Sequence, residues 1–163
     1  MGVPASSYSY DIANRLTSVD GVTYTWDSNG NLLSDGVNTL TYNTANRLTS
    51  VTRGSHSFQF AYNGLGDRLR QTADGVTTSY TLDIAAGLSQ VLSDGTSTYT
   101  YGLTRIAQYS GGAATYFLGD GLDSVRQLTN ASGTLTLSRN YEPYGSMFAG
   151  MGSGSTSYGF TGE

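Results

Sequence analysis

YDIANRLTSV at residues 10–19 returns almost unchanged as YNTANRLTSV at residues 42–51. Between the two copies, WDSNGNL at residues 26–32 fills the same positions with different residues. The shared pattern is an aromatic residue, an Asp or Asn, a turn and then a leucine. Because self-similarity at a regular spacing marks repeat architectures, this stretch predicts a chain built from one repeated unit.

The position that opens each unit, called the anchor below, recurs along the whole sequence. Successive anchors lie 16 to 23 residues apart. Each is expected to fill the interior of its repeat with an aromatic ring or a leucine side chain. The predicted anchors are Tyr10, Trp26, Tyr42, Tyr62, Leu82, Tyr101, Leu118 and Tyr141.

Two turns are predicted in each unit. The second precedes the next anchor and contains Asp-Gly at residues 20–21, 35–36, 74–75 and 94–95. Asp-Gly favours a two-residue type I′ hairpin turn, since both central residues need a positive φ. The first turn follows the anchor, and its predicted residues are Asp11, Asn14, Arg15, Asn46, Arg47, Gly66 and Arg68.

Between the turns, large apolar residues alternate with threonine or serine. Tyr24 and Trp26 alternate with threonines, and so do Leu40 and Tyr42. Period two places one row on a packed face and the other toward solvent, and no window has the helical period. The sequence predicts an all-β fold, an antiparallel meander of roughly a dozen short strands wound into a spiral or solenoid-like sheet.

A single domain is expected from a chain of 163 residues. The repeats place this YD-repeat β domain at residues 8–145, after a short N-terminal tail at residues 1–7. Residues 146–163 are rich in Gly and Ser. This composition predicts a loop or linker.

The composition narrows the classes of protein. Only 12% of the residues are charged, the formal net charge is −4 and the sequence has no lysine. This charge argues against a nucleic-acid binder, which would carry a basic face. There is no cysteine, which excludes disulfides and thiolate metal sites. No apolar run reaches the roughly 20 residues that a membrane span needs.

The acidic residues raise the question of catalysis. Those weighed are Asp11, Asp27, Asp83, Asp120 and Asp123. Glycoside hydrolysis needs two carboxylates held roughly 5 to 10 Å apart. Asp11, Asp27 and Asp83 directly follow anchors, where such side chains bond backbone amides in turns. Turn structure is therefore the preferred interpretation, and neither a catalytic residue nor an enzyme activity is predicted.

Metal binding is weighed at two places. GDGLDS at residues 119–124 holds clustered oxygen ligands but lacks the alternating order and final glutamate of a calcium loop. His56 is the only histidine, and without a cysteine or a second histidine a zinc site is not expected. No metal and no other cofactor is predicted.

The motif Tyr-Asp-x-x-Asn-Arg-Leu-Thr-Ser at residues 10–18 resembles the YD repeat of the Rhs family, which includes wall-associated proteins, toxin-complex C components and teneurins. Residues 116–145 are similar to the Rhs-associated core. Phe160-Thr161-Gly162-Glu163 resembles the Phe-Thr-Gly-x-Glu segment that follows this core. The positions that match the core are Asp120, Leu122, Ser124, Arg126, Gly133, Pro143, Tyr144 and Gly145.

The resemblance implies a β-sheet strip that spirals into a hollow shell, often around a C-terminal toxin. In the family an autoproteolytic motif lies beyond the Phe-Thr-Gly-x-Glu segment, and its residues do not occur in this sequence. The chain is therefore expected to be a non-enzymatic structural protein, extracellular or on the cell surface. It would be either a fragment of an Rhs-type toxin shell or a self-assembling subunit.

Two kinds of partner follow from these expectations. Edge strands rich in Tyr and Thr and free of lysine would pair with the rest of a larger shell or with another copy, and open head-to-tail pairing gives a filament. The alternative is a carbohydrate- or cell-surface-binding module, because exposed aromatic rows can stack on sugar rings. No nucleic-acid partner and no membrane span are predicted.

Overall fold

The computed structural model describes residues 6–85 and 87–162. Residues 1–5, Ala86 and Glu163 lie outside the described part. Three predictions fall wholly or partly on them: most of the N-terminal tail at residues 1–7, the turn that the repeat predicts at Ala86-Gly87 after the Leu82 anchor, and the last residue of the Phe-Thr-Gly-x-Glu motif. The described residues form strands and turns, with one short 3-10 turn at Phe160–Gly162. Contacts divide the chain into two compact units, Met1–Ser79 and Tyr80–Glu163.

The N-terminal unit forms two antiparallel sheets. The first has the order β1-β2-β3 and the second the order β10-β9-β8-β7-β6-β5-β4. The strands are β1 Tyr8–Tyr10, β2 Leu16–Val19, β3 Val22–Thr23, β4 Thr25–Trp26, β5 Leu32–Ser34, β6 Thr39–Tyr42, β7 Leu48–Arg53, β8 His56–Tyr62, β9 Arg68–Ala73 and β10 Val76–Ser79.

The C-terminal unit forms one sheet of eight strands in sequence order, from β11 to β18. The strands are β11 Thr81–Asp83, β12 Gln90–Ser93, β13 Thr98–Tyr101, β14 Arg105–Ser110, β15 Ala113–Gly119, β16 Val125–Asn130, β17 Leu135–Tyr141 and β18 Met147–Gly152.

Within each sheet, every strand pairs antiparallel with its neighbours in sequence. The predicted all-β antiparallel meander is confirmed. The strands number eighteen over residues 6–85 and 87–162, more than the predicted dozen, because several are only two or three residues long.

The loop after an anchor is a three-residue hairpin loop. In the first repeat, Asp11 N donates to Arg15 O at 2.9 Å and Asn14 N donates to Asp11 O at 3.0 Å. Asn14 has a φ of 59°, the left-handed conformation that closes such a loop. Glycine and asparagine adopt it at low cost. The equivalent left-handed residues are Gly30, Asn46, Gly66, Asp123, Gly133 and Gly145.

The Asp-Gly pairs form two kinds of turn. At residues 20–21 and 74–75 both φ angles are positive, as the prediction of a type I′ turn requires. At residues 35–36 and 94–95 only the glycine has a positive φ, so the predicted two-residue turn is wrong there. The Asp side chain instead accepts the backbone N–H groups two and three residues further on, at 2.6 to 2.9 Å, and this lengthens the loop.

The buried hydrophobic core lies in the C-terminal unit. Val125, Leu128 and Leu137 pack together, and Phe117 and Tyr158 pack against them. Among the described residues, the N-terminal unit contributes no buried hydrophobic side chain. Its stability therefore depends more on hydrogen bonds and half-buried rings than on a closed core.

Residues expected to form a terminal loop take part in the C-terminal sheet. Met147–Gly152 is strand β18, paired with β17. Residues 153–162, called the strap below, then return across the sheet, and Gly154 N donates to Thr136 O at 2.9 Å. A Cβ atom at Gly152 would collide with the Thr136 carbonyl. The glycines that suggested a linker thus allow close backbone approach.

Candidate functional site: the loop edge and the Arg105 cluster

The side chain that follows an anchor holds its own loop together. Asp11 Oδ1 accepts the backbone N–H groups of Ala13 and Arg15, both at 2.9 Å, and its Oδ2 accepts Arg15 Nε at 2.7 Å. Asp and Asn can exchange here because both offer an acceptor oxygen. The equivalent pair of backbone bonds is made by Asp27, Asn43, Asp120 and Asn130.

These hydrogen bonds lower the pKa of the loop carboxylates. The backbone N–H of Arg15 is the largest cause for the pKa of Asp11, and the side-chain amide of Asn31 is the largest cause for the pKa of Asp27. A hydrogen bond to the charged form favours ionisation. A general acid working near neutral pH needs the opposite shift, so these carboxylates are suited to holding turns.

Arginines connect successive loops of the N-terminal unit. Arg15 Nη1 donates to Asp27 O at 3.3 Å, and Arg47 Nη1 donates to Asn63 O at 3.0 Å. Each arginine therefore belongs to one repeat and satisfies a backbone carbonyl of the next. The predicted turn residues Arg15 and Arg47 occupy equivalent places in this arrangement.

Asparagine side chains complete the connection. Asn29 and Asn31 both donate from Nδ2 to Asn46 Oδ1, at 3.0 and 2.9 Å. Gly66 leaves room for the Arg47 guanidinium, since a Cβ atom at Gly66 would lie 3.0 Å from Arg47 Nη2. The loops at residues 11–15, 27–31, 43–47 and 63–67 form one hydrogen-bonded series, called the loop ladder below.

The polar tips of four of the six aromatic anchors donate to the backbone of the preceding repeat. The ring packs beside the sheet while its tip satisfies a carbonyl, which explains Tyr or Trp at positions where Phe would fill the same space. The four bonds run from Trp26 Nε1 to Leu16 O (2.8 Å), Tyr62 Oη to Leu48 O (2.7 Å), Tyr101 Oη to Val91 O (2.9 Å) and Tyr141 Oη to Val125 O (3.1 Å).

One predicted anchor lies a residue away from the repeated position. Gly119 pairs with Val125 next to a bulge, as Tyr10 pairs with Leu16. Leu118 precedes that position and is 46% exposed. The repeated position is therefore held by a glycine, and no aromatic residue marks it in the sequence.

Three further predicted residues lie on strands. Tyr42 is half-buried in β6, and burial raises its pKa. Leu82 lies in β11, next to a register shift like those of the other anchors. Arg68 opens β9 and its Cζ atom lies 5.6 Å from the centre of the Phe60 ring, within the range of a cation–π contact.

One arginine of the C-terminal unit is surrounded by aromatic rings. Arg105 Cζ lies 3.1 Å from the centre of the Tyr158 ring. The rings of Tyr99, Tyr101 and Phe117 have their centres 5.4 to 5.9 Å from the same atom. Cation–π contacts contribute about 0.5 to 2 kcal/mol each, more when desolvated. The guanidinium of Arg105 already occupies the space between these rings, so the rings are not free to hold a cation from outside. The contact joins strand β14, which carries Arg105, to the strap, which carries Tyr158.

Side chains of the sheet also donate hydrogen bonds to the strap. Each donor lies on a strand of the C-terminal unit, and each acceptor is a backbone carbonyl of the strap. The three bonds are Gln108 Nε2 to Ser155 O at 2.6 Å, Arg139 Nη1 to Tyr158 O at 2.8 Å and Arg105 Nη1 to Gly162 O at 3.2 Å.

Several residues that match the Rhs-associated core meet the end of the strap. Ser124 is fully buried, and its Oγ accepts Thr161 N at 3.1 Å. Asp120 holds the adjoining loop. Arg126 Nη2 donates to Asn140 Oδ1 at 3.0 Å, and its Nη1 lies 3.9 Å from Asp120 Oδ2. The structure brings these residues together around a structural contact.

The remaining residues that match the Rhs-associated core lie in turns. Gly145 has a φ of 91°, and a Cβ atom there would lie 2.7 Å from the Phe160 ring. That ring packs on Tyr141 with 5.7 Å between ring centres. Gly133 closes the loop that begins at Asn130. The exposed members of the whole matching set are Asp120, Leu122, Gly133, Pro143 and Tyr144.

Tyr99 and Asp94 form a hydrogen bond beside the strap. Tyr99 Oη donates to Asp94 Oδ2 at 2.6 Å. Burial, and then this bond, raise the pKa of Tyr99 to about 12. Partial burial opposes ionisation of Asp94, but hydrogen bonds from Tyr99 and from the backbone of Ser97 and Thr96 outweigh it and lower the pKa of Asp94.

The described residues offer no group of three His, Asp or Glu side chains that could hold a metal ion. His56 Nδ1 lies 2.7 Å from Asp74 Oδ2, while Asp74 Oδ1 accepts Ser57 N at 2.7 Å. This exposed pair connects β8 to the turn after β9. Within residues 6–85 and 87–162, no helix is long and apolar enough to cross a bilayer.

No sequence motif marks Arg105, Gln108 or Tyr158 as functional residues. Arg105 and Gln108 lack the repeat motif around them, and their partners in the strap lie 57 and 47 residues away. Tyr158 offered one signal, since it is the only tyrosine between Ser146 and Glu163. A large ring in a Gly/Ser-rich stretch, as here at Tyr158 and Phe160, is a candidate for the point where such a segment packs.

Comparison with known sequences identifies the repeat. The Teneurin YD-shell family profile matches residues 4–162. A tRNA3(Ser)-specific nuclease WapA of Bacillus spizizenii is 30% identical over 146 residues, which are 84% of this chain and 6% of that protein. A tRNA nuclease WapA of Bacillus subtilis is 33% identical over 78 residues, which are 46% of this chain and 3% of that protein. The chain thus spans a small fraction of these relatives.

Solved structures share the fold. The crystal structure of TcdB2-TccC3 without its hypervariable C-terminal region has a TM-score of 0.56 at 16% identity, and the match covers 96% of this chain and 11% of that one. A Photorhabdus luminescens Tc holotoxin pore has a TM-score of 0.52 at 17% identity, covering 87% and 10%. With the loop ladder, the anchor bonds and a family match over nearly the whole length, the chain belongs to the Teneurin YD-shell family.

Proposed function

We propose that this protein is a non-enzymatic wall segment of an extracellular YD shell, and that its end strands pair edge to edge with neighbouring strands. The family match supports the structural role. Side chains whose chemistry could have served catalysis are used instead to hold turns and backbone carbonyls.

The exposed edge strand β18 carries the proposal. It is the last strand of the eight-stranded sheet, and all six of its residues are exposed. Phe148 and Met151 are 63% and 78% exposed, and the strand has no charged residue. Natural sheets protect such edges with lysine, proline or a covering segment. An apolar, uncharged edge is suited to accept another strand.

The strand at the other end of the chain has similar properties. β1 is exposed and uncharged, and Tyr8 and Tyr10 are each 57% exposed. In a longer chain, the partners of β1 and β18 would be flanking strands of the same shell. In the isolated chain, the partner would be a second copy, and head-to-tail pairing that does not close gives a filament.

Light scattering and negative-stain microscopy of the purified chain test edge pairing. We expect oligomers or filaments for the natural sequence and a shift toward monomer for Met151→Lys, because an edge lysine opposes strand addition. Leu88→Lys is the matched control, since Leu88 is 86% exposed in a loop. A monomeric natural chain, or an equal shift in both variants, would count against edge pairing.

The names of the curated relatives raise the possibility of nuclease activity. This chain covers 6% of one WapA protein and 3% of another, and its net charge of −4 does not favour an RNA substrate. We propose that this segment does not cleave RNA. Incubation with total tRNA should leave it intact with and without Mg²⁺, and turnover abolished by a single Asp→Asn substitution would overturn this.

A surface-binding role is the second candidate. Tyr109 and Tyr116 lie on adjacent strands β14 and β15 and are 43% and 38% exposed. Such rings can stack on a sugar or on a protein partner. An array of neutral glycans tests the idea, and binding that Tyr109→Ser and Tyr116→Ser both reduce would support it over pure wall function.

A further inference from the structure

A line of polar side chains crosses one face of the N-terminal unit. Thr41 pairs with Ser50, Ser50 with Gln59, and Gln59 with Thr72, so the line runs over four strands, β6 to β9. At a strand spacing of about 4.8 Å, it is roughly 14 Å long. Successive side chains alternate between faces. The adjacent line, which therefore lies on the opposite face, is Leu40, Val51, Phe58 and Ala73.

A cleft of about 230 Å³ lies along the polar line. Its hydroxyl groups are already held in place, because Thr41 Oγ1 lies 2.9 Å from Thr49 Oγ1 and 2.7 Å from Ser50 Oγ. Ala61 pairs with Arg70 in the same lining and contributes only a methyl group. This small side chain leaves space between the hydroxyl groups and the arginine.

The charge of the cleft differs from that of the whole chain. Arg70 is its one charged lining residue among those described, and no carboxylate lines it, although the net charge of the chain is −4. The guanidinium of Arg70 has no hydrogen bond, ion pair or ring contact within the described residues. The arginines of the loop ladder, by contrast, are bonded to backbone carbonyls.

We propose that this cleft binds an acidic oligosaccharide. A row of hydroxyl groups and one amide can donate to and accept from sugar hydroxyls, and the free guanidinium offers a planar fork for a carboxylate. A neutral sugar would gain nothing from the charge of the exposed Arg70, and a small anion would leave the hydroxyl row unused. The cleft is smaller than the about 300 to 1,000 Å³ of enclosed ligand pockets. A chain of sugars lying along the open sheet fits it better than a buried ligand.

The test is a titration of the full-length Met151→Lys chain, in which edge pairing is suppressed, with tetragalacturonate, followed by amide chemical shifts in NMR spectra. The matched probe is the same oligosaccharide as its methyl ester, which keeps the hydroxyl groups and removes the charge. We expect shifts centred on β6 to β9, and a dissociation constant at least about tenfold weaker for the ester and for Arg70→Gln. Arg53→Gln is the control, since Arg53 is also exposed and unbonded among the described residues but lies outside the cleft.

Three results would overturn the proposal. They are no shifts at millimolar probe, equal binding of acid and ester, and equal weakening by Arg70→Gln and Arg53→Gln. Amide spectra without probe show whether each variant is folded. The titration is repeated in the natural chain by calorimetry, because binding of equal strength with and without edge pairing separates this cleft from the wall function. Failure of edge pairing would therefore not count against binding at the cleft, and failure of binding at the cleft would not count against edge pairing.

Discussion

Tyr158→Ala is the substitution that most directly tests how the C-terminal unit is held together. The ring stacks on Arg105 with 3.1 Å between Cζ and the ring centre. It also meets Tyr99 edge to face with 5.1 Å between ring centres, and it packs against the buried cluster of Val125, Leu128 and Leu137. Removing it detaches the middle of the strap and opens the core.

The expected magnitude follows from these contacts. A half-buried tyrosine ring withdraws about 100 Å² of apolar surface from water, which contributes about 2.5 kcal/mol. The edge-to-face contact and the stacked guanidinium add roughly 1 kcal/mol each. We expect the free energy of unfolding of the C-terminal unit to fall by about 3 to 5 kcal/mol. For a unit of this size, that lowers the thermal midpoint by roughly 12 °C or more.

Urea unfolding followed by two signals measures the effect. Near-UV circular dichroism reports the tyrosines of both units, of which eight of the thirteen lie in the C-terminal unit. The fluorescence of Trp26, the only tryptophan, reports the N-terminal unit alone, so the two signals together separate the units. Tyr144→Ala is the matched control, because Tyr144 is 97% exposed and its loss should change stability by no more than about 0.5 kcal/mol. A loss below about 1 kcal/mol for Tyr158→Ala, or equal losses for both variants, would refute the role given to the strap.

Three further predictions concern polar tips and titrating groups. Tyr62→Phe should lower the free energy of unfolding by about 0.5 to 1.5 kcal/mol, whereas Tyr8→Phe, in an exposed strand, should change it little; urea unfolding compares them. The pKa of Asp27 lies below its usual value of 3.8, so the stability it contributes is complete above about pH 4 and is lost as the pH falls further. Asp27→Asn keeps the acceptor oxygen and should weaken this acid dependence in melts across pH. The pKa of Tyr99 is raised to about 12, so its contribution is lost between pH 10 and 12; tyrosinate absorbance should show a late-titrating class that shrinks in Tyr99→Phe.

The repeat could be predicted because its determinants are local. Asp11 bonds residues no more than four positions away, so the spacing of the motif in the sequence is the spacing of the contacts. The left-handed φ at Asn14 restricts which residues fit there. At Gly119 a glycine holds the position that an aromatic residue holds in most other repeats. The sequence pattern therefore places this anchor one residue too early, at Leu118.

The strap could not be predicted in the same way. Arg105 donates to Gly162 across 57 residues, and no short motif marks either end of such a contact. Glycine-rich composition has two physical meanings, since it accompanies both flexible linkers and close backbone packing. At Gly152 and Gly154 the second meaning applies, because a Cβ atom at either position would crowd Thr136.

The hydrogen bonds also indicate where function can reside. The polar groups of the repeat motif are largely satisfied internally, so a ligand that used the loop ladder would have to break bonds that hold the loops. Two kinds of surface remain outside these networks. They are the uncharged end strands β1 and β18, and the cleft with Arg70, whose guanidinium makes no bond to any residue that the structure describes. The unpaired backbone N–H and C=O groups of an edge strand bind another strand. The hydroxyl groups beside the Arg70 guanidinium are suited to a ligand that carries both hydroxyl groups and a negative charge. A wall segment that also holds a glycan is consistent with this division, because the two surfaces use different atoms.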